Sequence, residues 1–141
     1  MSAASPAPVP LELRDLLDRW AGAVKAKDLA ALASIFCSGP EVMVFWSGGE
    51  RSIGWDEVRR QIEVDFRKEV ELDMEMLEPR FAPLGDGAGA LTFRYRITLR
   101  MEDDSLTFTR LASMAVRRDP SGWRVAAMHV STLPSPEGAV T

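Results

Sequence analysis

Apolar residues in the first part of the chain recur every three or four positions, which is the period of a helix with one buried face. This spacing predicts a helix over residues 11–25, beginning after Pro10, and a second helix over residues 29–36 with Asp28 as its N-cap. A third stripe predicts a helix over residues 55–69, with a charged side opposite its narrow apolar side.

Elsewhere the apolar residues alternate with polar ones, which is the period of a β-strand with one buried face. Strands are predicted over residues 42–45, 51–53, 72–83, 90–101, 106–117 and 123–132. The alternation is clearest in the fourth, where Leu91, Phe93 and Tyr95 are separated by Thr92 and Arg94. Short turns join the long strands, so we expect an antiparallel meander with the helices on one face, an α+β domain.

The length and the two ends of the chain predict one domain. A chain of 141 residues suits a single core, assigned here to residues 11–132. The Pro-rich residues 1–10 are expected to form a disordered lead-in, and residues 133–141 a loose tail. Because the chain shows neither a secretory signal pattern nor an apolar run of about 20 residues, a cytoplasmic protein without membrane contact is expected.

Charge and composition disfavour several classes of partner and cofactor. The formal net charge is −4, whereas proteins that bind nucleic acid usually carry a basic excess. A basic row, Arg94, Arg96 and Arg100, falls on the predicted outer face, where we expect acidic groups of a partner subunit or water to meet it. The chain has one cysteine, Cys37, and one histidine, His129, so neither a disulfide within the chain nor a structural zinc site is expected, and no cofactor is predicted.

Three segments together carry a family resemblance. Residues 20–36 (WAGAVKAKDLAALASIF) resemble the opening helices of the nuclear transport factor 2 superfamily, and residues 47–60 (SGGERSIGWDEVRR) resemble its hairpin and following helix. Residues 122–131 (GWRVAAMHVS) are similar to the closing strand of SnoaL-like proteins and of the association domain of calcium/calmodulin-dependent kinase. The resemblance implies a cone-shaped, curved, antiparallel (mixed) sheet packed on three N-terminal helices, with a conical pocket. It also implies pairing through the outer face of the sheet.

The resemblance does not carry over the catalytic set of ketosteroid isomerase-like members, which use an Asp base and a Tyr–Asp oxyanion hole. The corresponding positions fall on or near Trp20, Phe45 and Met114. None of these side chains can exchange a proton in the required way, so steroid-isomerase chemistry is not expected.

Five residues are candidates for a ligand site. A period-two count predicts Arg110 and His129 on inward faces of neighbouring strands, where they would grip an anion or a carboxylate. Asp65 lies at the edge of the buried stripe of the third helix, and Tyr95 and Trp46 would line the cavity. Alternatively, Arg110 forms a structural ion pair with Asp65 or Glu63, and the other candidates are core or boundary residues.

Two functions are consistent with these features. The first is a small-molecule-binding domain with an apolar conical pocket, whose ligand has an apolar body and an anionic or carbonyl group. Such a domain would be a binding protein or an enzyme of the isomerase, cyclase or dehydratase type. The second is a non-catalytic association module. In either case a homodimer through the outer sheet face is expected from the resemblance.

Overall fold

A computed structural model describes residues 9–134. Its elements follow one another as α1 (Leu11–Ala26), α2 (Leu29–Ala33), β1 (Met43–Phe45), β2 (Arg51–Ile53), α3 (Trp55–Phe66), β3 (Glu71–Pro83), β4 (Ala88–Arg100), β5 (Ser105–Asp119) and β6 (Gly122–Thr132). Most of the expected lead-in and tail lies outside the described residues. Of the lead-in, Val9 is buried and belongs to the core.

The six strands form one mixed sheet in the order β2-β1-β6-β5-β4-β3. All neighbouring pairs are antiparallel except β1 and β6, which are parallel. We call the face that packs on the helices the concave face and the opposite one the outer face. The predicted α+β class, with a curved cone-shaped sheet on three helices, is confirmed.

α1 packs on the sheet through its apolar side, and α2 packs against α1 and α3. α1 buries Leu13, Leu16, Leu17, Trp20 and Ala23, as its period predicts. α2 is shorter than predicted because the chain after it pairs with β6: the Cys37 amide donates to the Val125 carbonyl and the Val125 amide donates to the Ile35 carbonyl, each at 2.9 Å. No helix within residues 9–134 is both long and apolar enough to cross a bilayer.

Two β-bulges interrupt the sheet. In β3 the register with β4 shifts between Leu77 and Arg80, where Glu78 has a positive φ of 51°. In β6 the bulge is at Ala126: Val116 of β5 pairs with Val125 and the preceding residue of β5 pairs with Ala127. A bulge adds one residue to one strand, so it reverses which side chains beyond it face the core.

Arginines and carboxylates fill the part of the outer face formed by β3 and β4. Each arginine of β4 faces a carboxylate of β3: Arg94 with Glu78 at 3.4 Å, Arg96 with Glu75, and Arg100 with Asp73 at 3.4 Å. The basic row therefore lies on the outer face, as predicted. Its acidic partners come from the adjacent strand of the same chain, which corrects the expectation of a partner subunit or water alone.

Candidate functional site

Arg110 and Tyr95 lie directly opposite each other on β5 and β4. Because opposed residues of an antiparallel pair share a face, the buried Tyr95 places Arg110 on the concave face, where the sequence predicted it. The Arg110 Nε donates to the hydroxyl of Thr132 at 3.2 Å. Its guanidinium carbon lies 5.3 Å from the centroid of the Phe108 ring, within the range of a cation–π contact.

Tyr95 is held in place by aromatic neighbours. It is 3% exposed, and its ring lies edge-on to Trp20 with 5.4 Å between centroids. Burial raises the pKa of the Tyr95 phenol above 10.0, while the neighbouring Arg110 opposes the rise both as a charge and as a hydrogen-bond donor. The phenol therefore stays protonated well into the alkaline range and can donate a hydrogen bond to an acceptor.

The carboxylates considered as partners for Arg110 are engaged elsewhere. Within residues 9–134, no carboxylate oxygen lies within 4.0 Å of the Arg110 guanidinium. Both acids pair within α3 and the residues that follow it: Asp65 accepts from Gln61 at 3.2 Å and lies 3.5 Å from Lys68, and Glu63 accepts from Arg59 at 3.0 Å. The ion pair proposed as an alternative role for Arg110 is therefore not formed among the described residues.

His129 does not join Arg110, because it lies on the opposite face of the sheet. The sequence count placed it on the face of Val125, but the bulge at Ala126 reverses the alternation, so that Met128 is buried and His129 is exposed. On the outer face, its ring lies 5.7 Å from that of Phe45, measured between centroids. The predicted facing of His129 is therefore wrong.

Trp46 points to the concave side of the sheet and binds within its own hairpin. Its indole nitrogen donates to the hydroxyl of Ser52 at 2.9 Å, and Ser52 is buried. Val44, two residues earlier, is also buried, whereas Phe45 between them is 46% exposed on the outer face. At this point of β1, neither inward side chain is an acid.

The chemistry of the concave face is that of hydrogen-bond donors on an apolar surface. Towards the β4–β5 turn its apolar side chains are only half-buried: Leu72, Met76, Leu99, Leu106 and Phe108. Among the described residues, concave positions of the sheet carry no carboxylate, and residues 9–134 hold no group of three or more His, Cys, Asp and Glu side chains placed to bind a metal ion. The face can thus hold an apolar body and an acceptor group.

A separate recess of about 470 Å³ lies between the end of α1, the start of β3 and the β4–β5 turn. It is lined by Lys27, Glu69, Val70, Glu71, Arg100, Met101 and Glu102. None of the five predicted site residues contributes to it. Its charges are mixed, so the apolar face that carries Arg110 and Tyr95 is the better candidate site.

The proximity of Arg110 and Tyr95 predicts how the phenol titrates. Tyr95 is the only tyrosine, so absorbance near 295 nm follows this group, and we expect a midpoint above 10.0 in the folded protein. Arg110→Gln should raise the midpoint further because it removes the opposing cation, whereas Arg94→Gln on the outer face should not. Since the folded state keeps this proton longer than the unfolded state, the free energy of unfolding should fall as the pH rises through 10. A lower midpoint in Arg110→Gln would contradict the contact.

The fold is similar to several solved structures, all at low sequence identity. A nuclear transport factor 2-like superfamily protein from Salmonella enterica serovar Typhimurium is 18% identical with a TM-score of 0.79, covering 89% of this chain and 91% of that one. A proposed dehydratase of the NTF2-like family from Streptomyces avermitilis is 16% identical with a TM-score of 0.79, covering 88% and 95%. The CaMKII hub of S. rosetta is 18% identical with a TM-score of 0.74, covering 92% and 100%.

The structural similarities establish the fold, and the family follows from the sequence. No protein of curated function matches the chain. The family model described as the SnoaL-like domain matches residues 13–136, nearly the whole sequence. The chain therefore belongs to the SnoaL-like domain family.

Proposed function

We propose that this SnoaL-like domain binds a small molecule on the concave face, at the end marked by Arg110 and Tyr95. The observation that carries the proposal is the position of Arg110, a permanent cation beside half-buried apolar side chains of the concave face, with no carboxylate partner among the described residues. Arg110 is half-buried, so a ligand that covered it would remove the cation from water, and an anionic group on the ligand would offset that cost. Arg110 is therefore the polar anchor of the proposed site.

The donor geometry favours a carboxylate within the wider class of anionic and carbonyl ligands. The Arg110 Nε is engaged with Thr132 and the guanidinium also donates to Tyr95, which leaves further N–H groups on the terminal nitrogens to meet a planar carboxylate. The protonated phenol of Tyr95 adds a third donor. Charge-assisted hydrogen bonds are about twice as strong as neutral ones, so an acid should bind more tightly than its uncharged analogue. The half-buried leucines and Phe108 would contact the apolar body.

Binding, not proton transfer, is the proposed role of the site. General acid–base catalysis needs a titratable group within hydrogen-bond reach of the reacting atom. The concave positions of the described strands offer Tyr95 but no carboxylate, and His129 lies on the outer face. The chemistry suggested for structural relatives is therefore not extended to this chain.

The test compares a matched acid and amide, 2-naphthoate and 2-naphthamide, by isothermal titration calorimetry. We expect naphthoate to bind, and Arg110→Gln to weaken it about 10- to 100-fold, the equivalent of losing a hydrogen-bonded charge pair. Arg94→Gln, which removes an arginine from the outer face, is the control and should leave the affinity unchanged. Equal affinities of the parent and Arg110→Gln for naphthoate, or no binding of either compound, would argue against the site.

A second function, association with another copy of the chain, is favoured by a separate observation on the outer face. Four large apolar side chains are exposed there: Met43 by 47%, Phe45 by 46%, Ile53 by 42% and Leu111 by 36%. Strand register places them in one uncharged area, the outer patch, formed by Met43, Phe45, Ile53, Leu111, Ser113, Ala115, Ala127, His129 and Ser131. An uncharged, apolar surface suits an identical surface related by a two-fold axis.

The association is tested by introducing a charge into the outer patch. Phe45→Glu should shift a dimer to monomer in sedimentation at micromolar concentration, because the new carboxylates and the Arg51 side chains opposite them would lose their water in the interface. Leu84→Glu provides the matched control, since Leu84 is 69% exposed in the β3–β4 turn, outside the patch. A monomeric parent protein, or a dimer that tolerates Phe45→Glu, would exclude this interface.

A further inference from the structure

His129 occupies the middle of the outer patch. Through the strand register it lies between Phe45 of β1 and Ser113 of β5, and along β6 its neighbours on the same face are Ala127 and Ser131. It is exposed, and no carboxylate of residues 9–134 lies within 4.0 Å of it. The only histidine of the chain thus stands in a surface of apolar, hydroxyl and methyl groups.

The charged groups nearest to this position are mainly cations at the border of the outer patch. Arg51 of β2 lies opposite Phe45, and Arg94 of β4 lies opposite Leu111. Arg117 lies two residues beyond Ala115 on β5 and pairs with Glu41 at 3.8 Å. Arg94 pairs with Glu78, so a proton gained by His129 would meet paired arginines and Arg51 at the border, with no carboxylate within 4.0 Å of the imidazole among residues 9–134.

We infer that two copies pair through their outer patches with both His129 side chains inside the interface, and that acid separates them. This inference rests on the association proposed above and specifies its geometry and regulation. A two-fold interface that covers uncharged surface with uncharged surface must be centred near the middle of the patch, which is where His129 lies. If the two copies were shifted away from this centre, the arginine and carboxylate pairs of β3 and β4 in one copy would face apolar groups of the other.

Proton linkage gives the sign and size of the effect. Histidine ordinarily gains its proton between about pH 7 and pH 5.5, and an imidazolium buried without an anion is strongly disfavoured. Each free chain then takes up one proton that the dimer excludes, which makes two protons for each dimer that dissociates. The dissociation constant of the dimer therefore rises as the pH falls. Because two protons are excluded per dimer, the dissociation constant can rise by up to about 100-fold for each unit by which the pH falls.

The experiment measures the dimer dissociation constant by sedimentation at pH 7.5 and pH 5.8, for the full chain and for His129→Gln. Both values lie above the sequence pI of about 5.1, so the protein keeps its negative net charge throughout. We expect the dissociation constant of the parent to rise by more than about threefold at the lower pH, while His129→Gln forms a dimer at both. Circular dichroism at each pH establishes that the chain remains folded.

The outcomes separate this inference from the association itself. A parent dimer whose dissociation constant changes less than about threefold, or the same pH dependence in His129→Gln, would overturn the role of His129 but keep the dimer. A parent that is monomeric at both pH values at a concentration of about 100 µM would overturn the association and the inference with it. If His129→Gln fails to dimerise at pH 7.5, His129→Phe supplies a neutral ring. Dimerisation of the His129→Phe protein without pH dependence supports the inference, and its failure to dimerise as well opposes it.

Discussion

Replacing Trp20 with alanine should lower the free energy of unfolding by about 3–5 kcal/mol, the range for truncating a buried aromatic residue. Trp20 is 5% exposed and fastens α1 to the sheet. Its ring lies edge-on to both Phe93 and Tyr95, with 5.5 Å and 5.4 Å between centroids. The substitution removes these contacts and leaves a cavity beneath the candidate site. Tyr95 would also lose the indole ring that packs against it.

Thermal and urea unfolding measure this effect, and the same helix supplies a control. Leu11 is 83% exposed at the start of α1, so Leu11→Ala should change stability by no more than about 0.5 kcal/mol. A Trp20→Ala protein as stable as the parent would mean that α1 does not pack on β4 in solution.

Gly89→Ala should cost about 2–3 kcal/mol, although it adds only one methyl group. A Cβ at this position would stand 2.3 Å from a ring carbon of Phe81 and 2.8 Å from the backbone oxygen of Ala82. The ring can turn aside, but the backbone oxygen belongs to the β3–β4 ladder, and moving it disturbs the pairing of the strands. Gly89 is thus needed for a close approach between the two strands.

The same chemical change elsewhere in the chain should have the opposite sign. Gly22 lies inside α1, and a Cβ there meets no atom within 4 Å. Gly22→Ala should stabilise the protein by about 0.5–1 kcal/mol, because alanine loses less conformational entropy in a helix. Differential scanning calorimetry of the two variants compares them directly. A Gly89→Ala protein at least as stable as the parent would contradict the close approach.

The fold could be predicted from the sequence because its periodicities are local and consistent. β4 shows this best. The apolar residues Leu91, Phe93 and Tyr95 of its sequence are buried in the structure, and the polar residues Thr92 and Arg94 between them are exposed. The end of α2 could not be predicted, since residues 34–36 keep a helical pattern while their backbone pairs with Val125 of β6. That pairing is a tertiary contact, which overrides local helix propensity.

The candidate site was predictable only in part, for the same reason. Arg110 could be placed on the concave face because β5 alternates without a bulge between it and the buried residues that follow. His129 could not, because nothing in the alanines at 126 and 127 marks where β6 gains a residue. The contact between Arg110 and Thr132 depends on which residues of β5 and β6 lie opposite each other. The alternation within either strand does not determine this register.

The bulge in β3 bears on how the protein behaves when it is concentrated. β3 is thirteen residues long and forms one margin of the sheet, where an extended row of backbone groups would invite further chains to add as in amyloid. The irregular turn at Glu78 is followed by Pro79, which has no amide hydrogen to donate, and charged side chains line the strand on either side. Fibrillar growth from this margin is thereby obstructed, although the strand is long enough to pair with another chain.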